Sequence, residues 1–70
     1  GQAVSSPLPG SVIRVVSAVG KTIQVGDTLV VIEAMKMETE IKAAVSGVVQ
    51  EISVAVGDQV AAGQIVARIR

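Results

Sequence analysis

The 70-residue chain contains no cysteine, histidine, phenylalanine, tryptophan or tyrosine. Each absence closes off some chemistry. Without cysteine there is no disulfide framework, and without cysteine or histidine no zinc or haem site of the usual kind, so no metal is expected. Imidazole, thiolate and phenol are the common proton-transfer and nucleophilic groups; lacking them, the chain is assigned no catalytic residue and is not expected to be an enzyme on its own. Six basic residues balance six acidic ones. With no phosphate-attracting field and no ring for a base to stack on, nucleic acid is not an expected partner. Half of the residues are hydrophobic, yet charges and glycines interrupt them before any run reaches the roughly 20 residues that span a bilayer. Direct membrane insertion is therefore not expected, and a cytoplasmic location is. The chain opens on Gly1-Gln2 without a charged-then-apolar leader, and is read as one domain, residues 1–70, cut from a longer polypeptide.

What the chain does have is Val and Ile in short runs bounded by glycine. Stiff β-branched side chains in runs of four to eight suit strands and not helices. Strands are predicted at Ala3 to Ser5, Ser11 to Ala18, Thr28 to Glu33, Glu38 to Ala43, Val48 to Val54 and Ile65 to Ile69, with short bridges near Ile23 and Val60. Gly20-Lys21, Gly26-Asp27, Gly57-Asp58 and Gly63-Gln64 punctuate them, as tight turns needing positive φ require.

The glycines carry a second pattern. Gly10, Gly20 and Gly26 recur as Gly47, Gly57 and Gly63 at a constant offset of 37. The same offset superposes Val12 on Val49, Ala18 on Ala55, Val19 on Val56 and Ile32 on Ile69. This is an internal duplication. Two four-stranded units this short cannot each hold a core, so the expected fold is all-β: two four-stranded antiparallel sheets related by a pseudo-twofold axis, filling one interior as a flattened barrel or sandwich. Val4, Val12, Val30, Ile32, Ile41, Val49 and Ile69 are the expected interior.

Lys36 sits at the midpoint of the duplication, inside Ala34-Met35-Lys36-Met37-Glu38-Thr39. If the flanking runs pair, this segment is the hairpin between the halves. A two-residue hairpin favours Asn-Gly or similar pairs, which Met-Lys-Met does not supply. Local rules tend to be broken at functional sites. The flanking methionines offer flexible apolar surface of the kind other proteins dock on, and Lys36 offers a primary amine. An ordinary lysine amine is mostly protonated near neutral pH, so a partner enzyme would have to deprotonate and acylate it, removing its charge. Glu33, Glu38 and Glu40 surround the segment, either as solvated strand residues or as a recognition signature.

Glu33-Ala34-Met35-Lys36-Met37-Glu38 resembles the Ala-Met-Lys-Met signature of biotinyl domains, the carriers of biotin-dependent carboxylases, decarboxylases and transcarboxylases. Ser6-Pro7-Leu8-Pro9-Gly10 and the Val25-Gly26-Asp27 and Val56-Gly57-Asp58 turns extend the resemblance over nearly the whole chain. It implies a flattened barrel of two four-stranded sheets, and biotin joined to Lys36 by a biotin protein ligase, with Ala34, Met35 and Met37 as flanking motif. It also implies partnership with biotin carboxylase and with carboxyltransferase or decarboxylase subunits or domains. In such proteins the tethered ureido ring accepts a carboxyl group at one active site and gives it up at another. Arg14 to Val25 matches Glu51 to Ala62 without insertion. The chain is thus more similar to carriers of oxaloacetate decarboxylase, transcarboxylase, pyruvate carboxylase or acyl-CoA carboxylase type than to acetyl-CoA carboxylase carriers with a protruding segment. Two other readings share the fold: a lipoyl carrier, whose lysine usually follows Asp and precedes Ala, and an unmodified barrel-sandwich adaptor.

Overall fold

The computed structural model describes all 70 residues as eight strands and no helix. These are β1 (Gln2–Ser5), β2 (Gly10–Val15), β3 (Thr22–Ile23), β4 (Thr28–Ala34), β5 (Met37–Lys42), β6 (Gly47–Ile52), β7 (Gln59–Val60) and β8 (Ile65–Ile69). They form two antiparallel four-stranded sheets ordered β1-β8-β6-β3 and β5-β4-β2-β7. No helix is long and apolar enough to cross a membrane.

The offset of 37 maps β1 to β4 onto β5 to β8 and exchanges the two sheets. The halves are not themselves the sheets: each sheet takes two strands from each half, so neither half holds a sheet without the other. The repeat reaches single hydrogen bonds. Gly20 N–H donates to Val49 O at 2.8 Å and Gly57 N–H to Val12 O at 2.9 Å; Gly26 N–H donates to Ala43 O at 2.9 Å and Gly63 N–H to Ser6 O at 2.8 Å. All four turn glycines adopt positive φ, between 84° and 97°.

Each expected core residue is buried: Val4, Val12, Val30, Ile32, Ile41, Val49 and Ile69 lie in one cluster. Leu29 and Val66 join them, and strict alternation does not predict these two. Pairing of β4 with β5 slips between Thr28 and Val30, and pairing of β1 with β8 slips opposite Val66. A bulge puts two consecutive residues on one face and bends the strand, so Leu29-Val30 and Val66-Ala67 both enter the core.

Two strands stop earlier than their composition suggests. Val16 and Ser17 N–H both donate to Leu29 O, at 2.9 and 3.2 Å, and Ser53 N–H donates to Val66 O at 2.9 Å. With two donors converging on the Leu29 carbonyl the β2–β4 ladder cannot continue, so β2 ends at Val15 and not Ala18; its counterpart β6 ends at Ile52 and not Val54.

The molecule is elongated, 31 × 18 × 18 Å. At one end Gly47 lies against the Ile69–Arg70 backbone, and Gln2 pairs with Ile69. β4 leaves this end at Thr28, where Ala43 N–H bonds Asp27 O at 2.8 Å, and climbs to the other end. There the β4–β5 hairpin turns.

Candidate functional site: the β4–β5 hairpin

Six register pairs hold the hairpin, from Thr28 opposite Lys42 to Ala34 opposite Met37. That last pair leaves a two-residue turn, Met35-Lys36, two residues shorter than the Ala34–Met37 gap between the expected strands. Met35 has φ 53° and Lys36 φ 64°, the only non-glycine residues in the chain with positive φ. A two-residue turn needs positive φ at both positions to match the right-handed twist of its strands. For residues with a Cβ the left-handed region costs roughly 1–2 kcal/mol each. Strand pairing below the turn holds the strain in place.

The scaffold closes in beneath this turn. A Cβ on Gly10 would sit 2.5 Å from Glu33 O and 3.3 Å from Ala34 Cβ. Only glycine lets β2 approach the end of β4 so closely. Ala34 is buried there and is the last member of the core below the tip.

Above Ala34 every side chain stands in solvent. Met35 is 88% exposed and Met37 69%, which rules out methionines folded inward. Lys36 is exposed and takes part in no ion pair or hydrogen bond with the rest of the protein.

Glu33 and Glu38 face each other directly across the hairpin, where like charges are destabilising. Arg14 answers one of them. From β2 it reaches across β4, placing its guanidinium 3.5 Å from Glu38 Oε1. Glu40 lies 3.9 Å from the Lys42 amine and accepts a hydrogen bond from Thr28 Oγ1 at 3.2 Å. These side chains are more than half exposed, so each pair contributes at most about 1 kcal/mol. Glu33 has no cationic partner.

The structure therefore gathers Glu33, Ala34, Met35, Lys36, Met37 and Glu38 at one tip, with Glu40 further down β5. Arg14, Thr28 and Gly10 are site residues that sequence reasoning did not single out. Only Gly10 carried a signal, through its place in the glycine repeat. The arrangement presents a single amine on a rigid, apolar-flanked tip with an acidic flank.

Residues 2–69 match the family described as "Biotin-requiring enzyme". The Mycobacterium leprae "Biotinylated protein TB7.3 homolog" is 44% identical over 66 residues, covering 94% of this chain and 93% of its own length. The "Biotin-dependent acyl-coenzyme A carboxylase alpha3 subunit" of the same organism is 39% identical over 70 residues, all of this chain but only 12% of that subunit. Among solved structures, the Kluyveromyces lactis urea carboxylase superposes with a TM-score of 0.95 at 39% identity, over 99% of this chain and 6% of that one.

Proposed function

The chain belongs to the family of biotin-requiring enzymes, and on that footing we propose that it is a biotin carboxyl carrier domain whose Lys36 amine is the attachment point. The observation that carries the assignment is the Met35-Lys36 turn: the exposed amine of a strained two-residue hairpin tip, without any internal partner. The geometry fits an amide-linked group, since nothing in the protein competes for the nitrogen and nothing covers it.

Bound biotin supplies a site that can take up and release a carboxyl group. The chain's own residues do the rest. Strand pairing fixes where the amine starts its swing; Met35 and Met37 give apolar surface for brief docking; Glu33, without an internal partner, is free to meet a cationic side chain of the docking protein. Carriage on a tether replaces bimolecular encounter with an effective concentration that reaches the millimolar range for short linkers. Small, quickly reversed contacts suit a carrier that must visit more than one site.

The proposed partners are a biotin protein ligase, which acylates Lys36, a biotin carboxylase, and a carboxyltransferase or decarboxylase, and the proposed setting is the cytoplasm. The names of the relatives support the two carboxyl-handling partners. A streptavidin blot of the chain co-expressed with a biotin ligase, beside the Lys36→Arg variant, tests the assignment. Signal is expected from the parent and none from the variant, because a guanidinium is not acylated under these conditions. A lipoyl group on Lys36 in cells that hold both ligases, with no biotin, would replace this reading with that of a lipoyl carrier.

A further inference from the structure

The duplication places four tight turns in equivalent pairs, and three are closed the same way. Gln24 N–H donates to Asp27 Oδ2 at 2.8 Å, Ala55 N–H to Asp58 Oδ2 at 2.9 Å, and Ala61 N–H to Gln64 Oε1 at 3.0 Å. In each, the side chain of the fourth residue accepts from the first. The fourth turn, Ala18 to Lys21, has the backbone of its counterpart Ala55 to Asp58. Lys21 N–H donates to Ala18 O at 3.1 Å as Asp58 N–H does to Ala55 O at 3.0 Å, and Gly20 and Gly57 share φ of 90° and 97°. Here, however, a lysine stands where the acceptor belongs, and an ammonium accepts nothing. Ala18 N–H donates to no protein atom, and Lys21 has no acidic partner.

We propose that the Ala18–Lys21 turn is a docking point for a carboxylate on an acidic segment of a partner protein. The second half shows the receptor filled from within, by Asp58. The first half keeps the same N–H and replaces the internal carboxylate by a cation that would attract an external one. A second reversal lies nearby. Arg70 occupies the position equivalent to Glu33, and it too is exposed and unpaired. Thr22 and Arg70 flank Val48 on either side, the one as a register partner and the other through reciprocal backbone bonds of 2.9 and 3.0 Å. Two strand spacings put these flanking backbones roughly 10 Å apart. A flexible acidic segment carrying a second carboxylate within that reach can meet Arg70 while the first meets Lys21 and Ala18. The surface lies toward the end of the long axis away from Lys36, so a partner held there leaves the hairpin uncovered. The inference stands whatever Lys36 carries.

Amide NMR of the full chain tests it. The probe is the blocked peptide Gly-Glu-Gly-Gly-Glu-Gly, added at constant ionic strength, with the Gln-for-Glu peptide as control. The Ala18 and Lys21 amides are expected to shift saturably with the Glu peptide only, and those of Ala55 and Asp58 to stay still. Lys21→Asp closes the turn internally and should weaken the response at least tenfold; Lys21→Ala, which keeps the open N–H without the cation, should weaken it severalfold. An unmoved Ala18 amide, an equal response to the Gln peptide, or an undiminished response in the folded variants would overturn the proposal.

Discussion

Met35 and Lys36 hold left-handed backbone angles that neither side chain favours, while every other positive φ in the chain falls on glycine. Replacing the pair by Asn-Gly should relieve the strain and raise stability by about 1–2 kcal/mol, read as a higher urea midpoint, while leaving no amine at the tip to acylate. Met35→Ala and Met37→Ala, by contrast, should unfold at the parent midpoint, because both side chains are already in solvent; their effect belongs to recognition. A second misfit is Ser17, whose Oγ is buried without a hydrogen-bond partner. Its counterpart across the dyad is Val54, a member of the core. Ser17→Val should therefore stabilise by about 1 kcal/mol, since an unsatisfied buried hydroxyl carries a desolvation cost that an apolar group does not. A lower midpoint for this variant would mean that the hydroxyl is satisfied after all.

Within the elements, the contact between β2 and the end of β4 is the most exacting. Gly10→Ala would drive a Cβ into the Glu33 carbonyl, a backbone atom that cannot turn aside. The expected loss is about 1–3 kcal/mol, with amide shifts concentrated at Glu33 and Ala34 if the hairpin root is what moves. Much of this architecture is legible in the sequence alone. β-branched runs between glycines marked the strands, and the repeat of three glycines predicted both the dyad and the equivalence of Gly10 with Gly47. The Ala-Met-Lys-Met signature located the tip. Three things were not legible, each for a physical reason. The strand end at Val15 depends on two N–H groups sharing the carbonyl of a residue distant in the chain, Leu29. The bulges that bury Leu29 and Val66 break the alternation by which interiors are recognised. The Arg14–Glu38 pair crosses an intervening strand, and no local spacing encodes which residues meet that way.

At the scale of the molecule, interleaving governs behaviour. Each sheet draws on both halves, and β1 pairs with β8 and β2 with β7, residues far apart in the chain. A fragment of residues 1–36 should thus be unfolded by amide dispersion, despite containing a complete repeat, whereas the whole chain should unfold in one cooperative transition. Refolding should be slow for its size, in the millisecond-to-second range of sheets built from non-local pairings. This rigid body is what makes the tip a defined point in space: at one end Gln2 pairs with Ile69, and the other end lifts a single lysine into solvent. Lys21, Lys36 and Lys42 are all exposed, so exposure alone cannot select among them; the left-handed turn and its methionine flanks must. Peptide mapping by mass spectrometry after co-expression with a biotin ligase reads that selection directly. One biotinyl group per chain is expected, confined to the peptide bearing Lys36, with Lys21 and Lys42 unmodified; label on either of those lysines, or none on Lys36, would mean that the hairpin tip is not the attachment point.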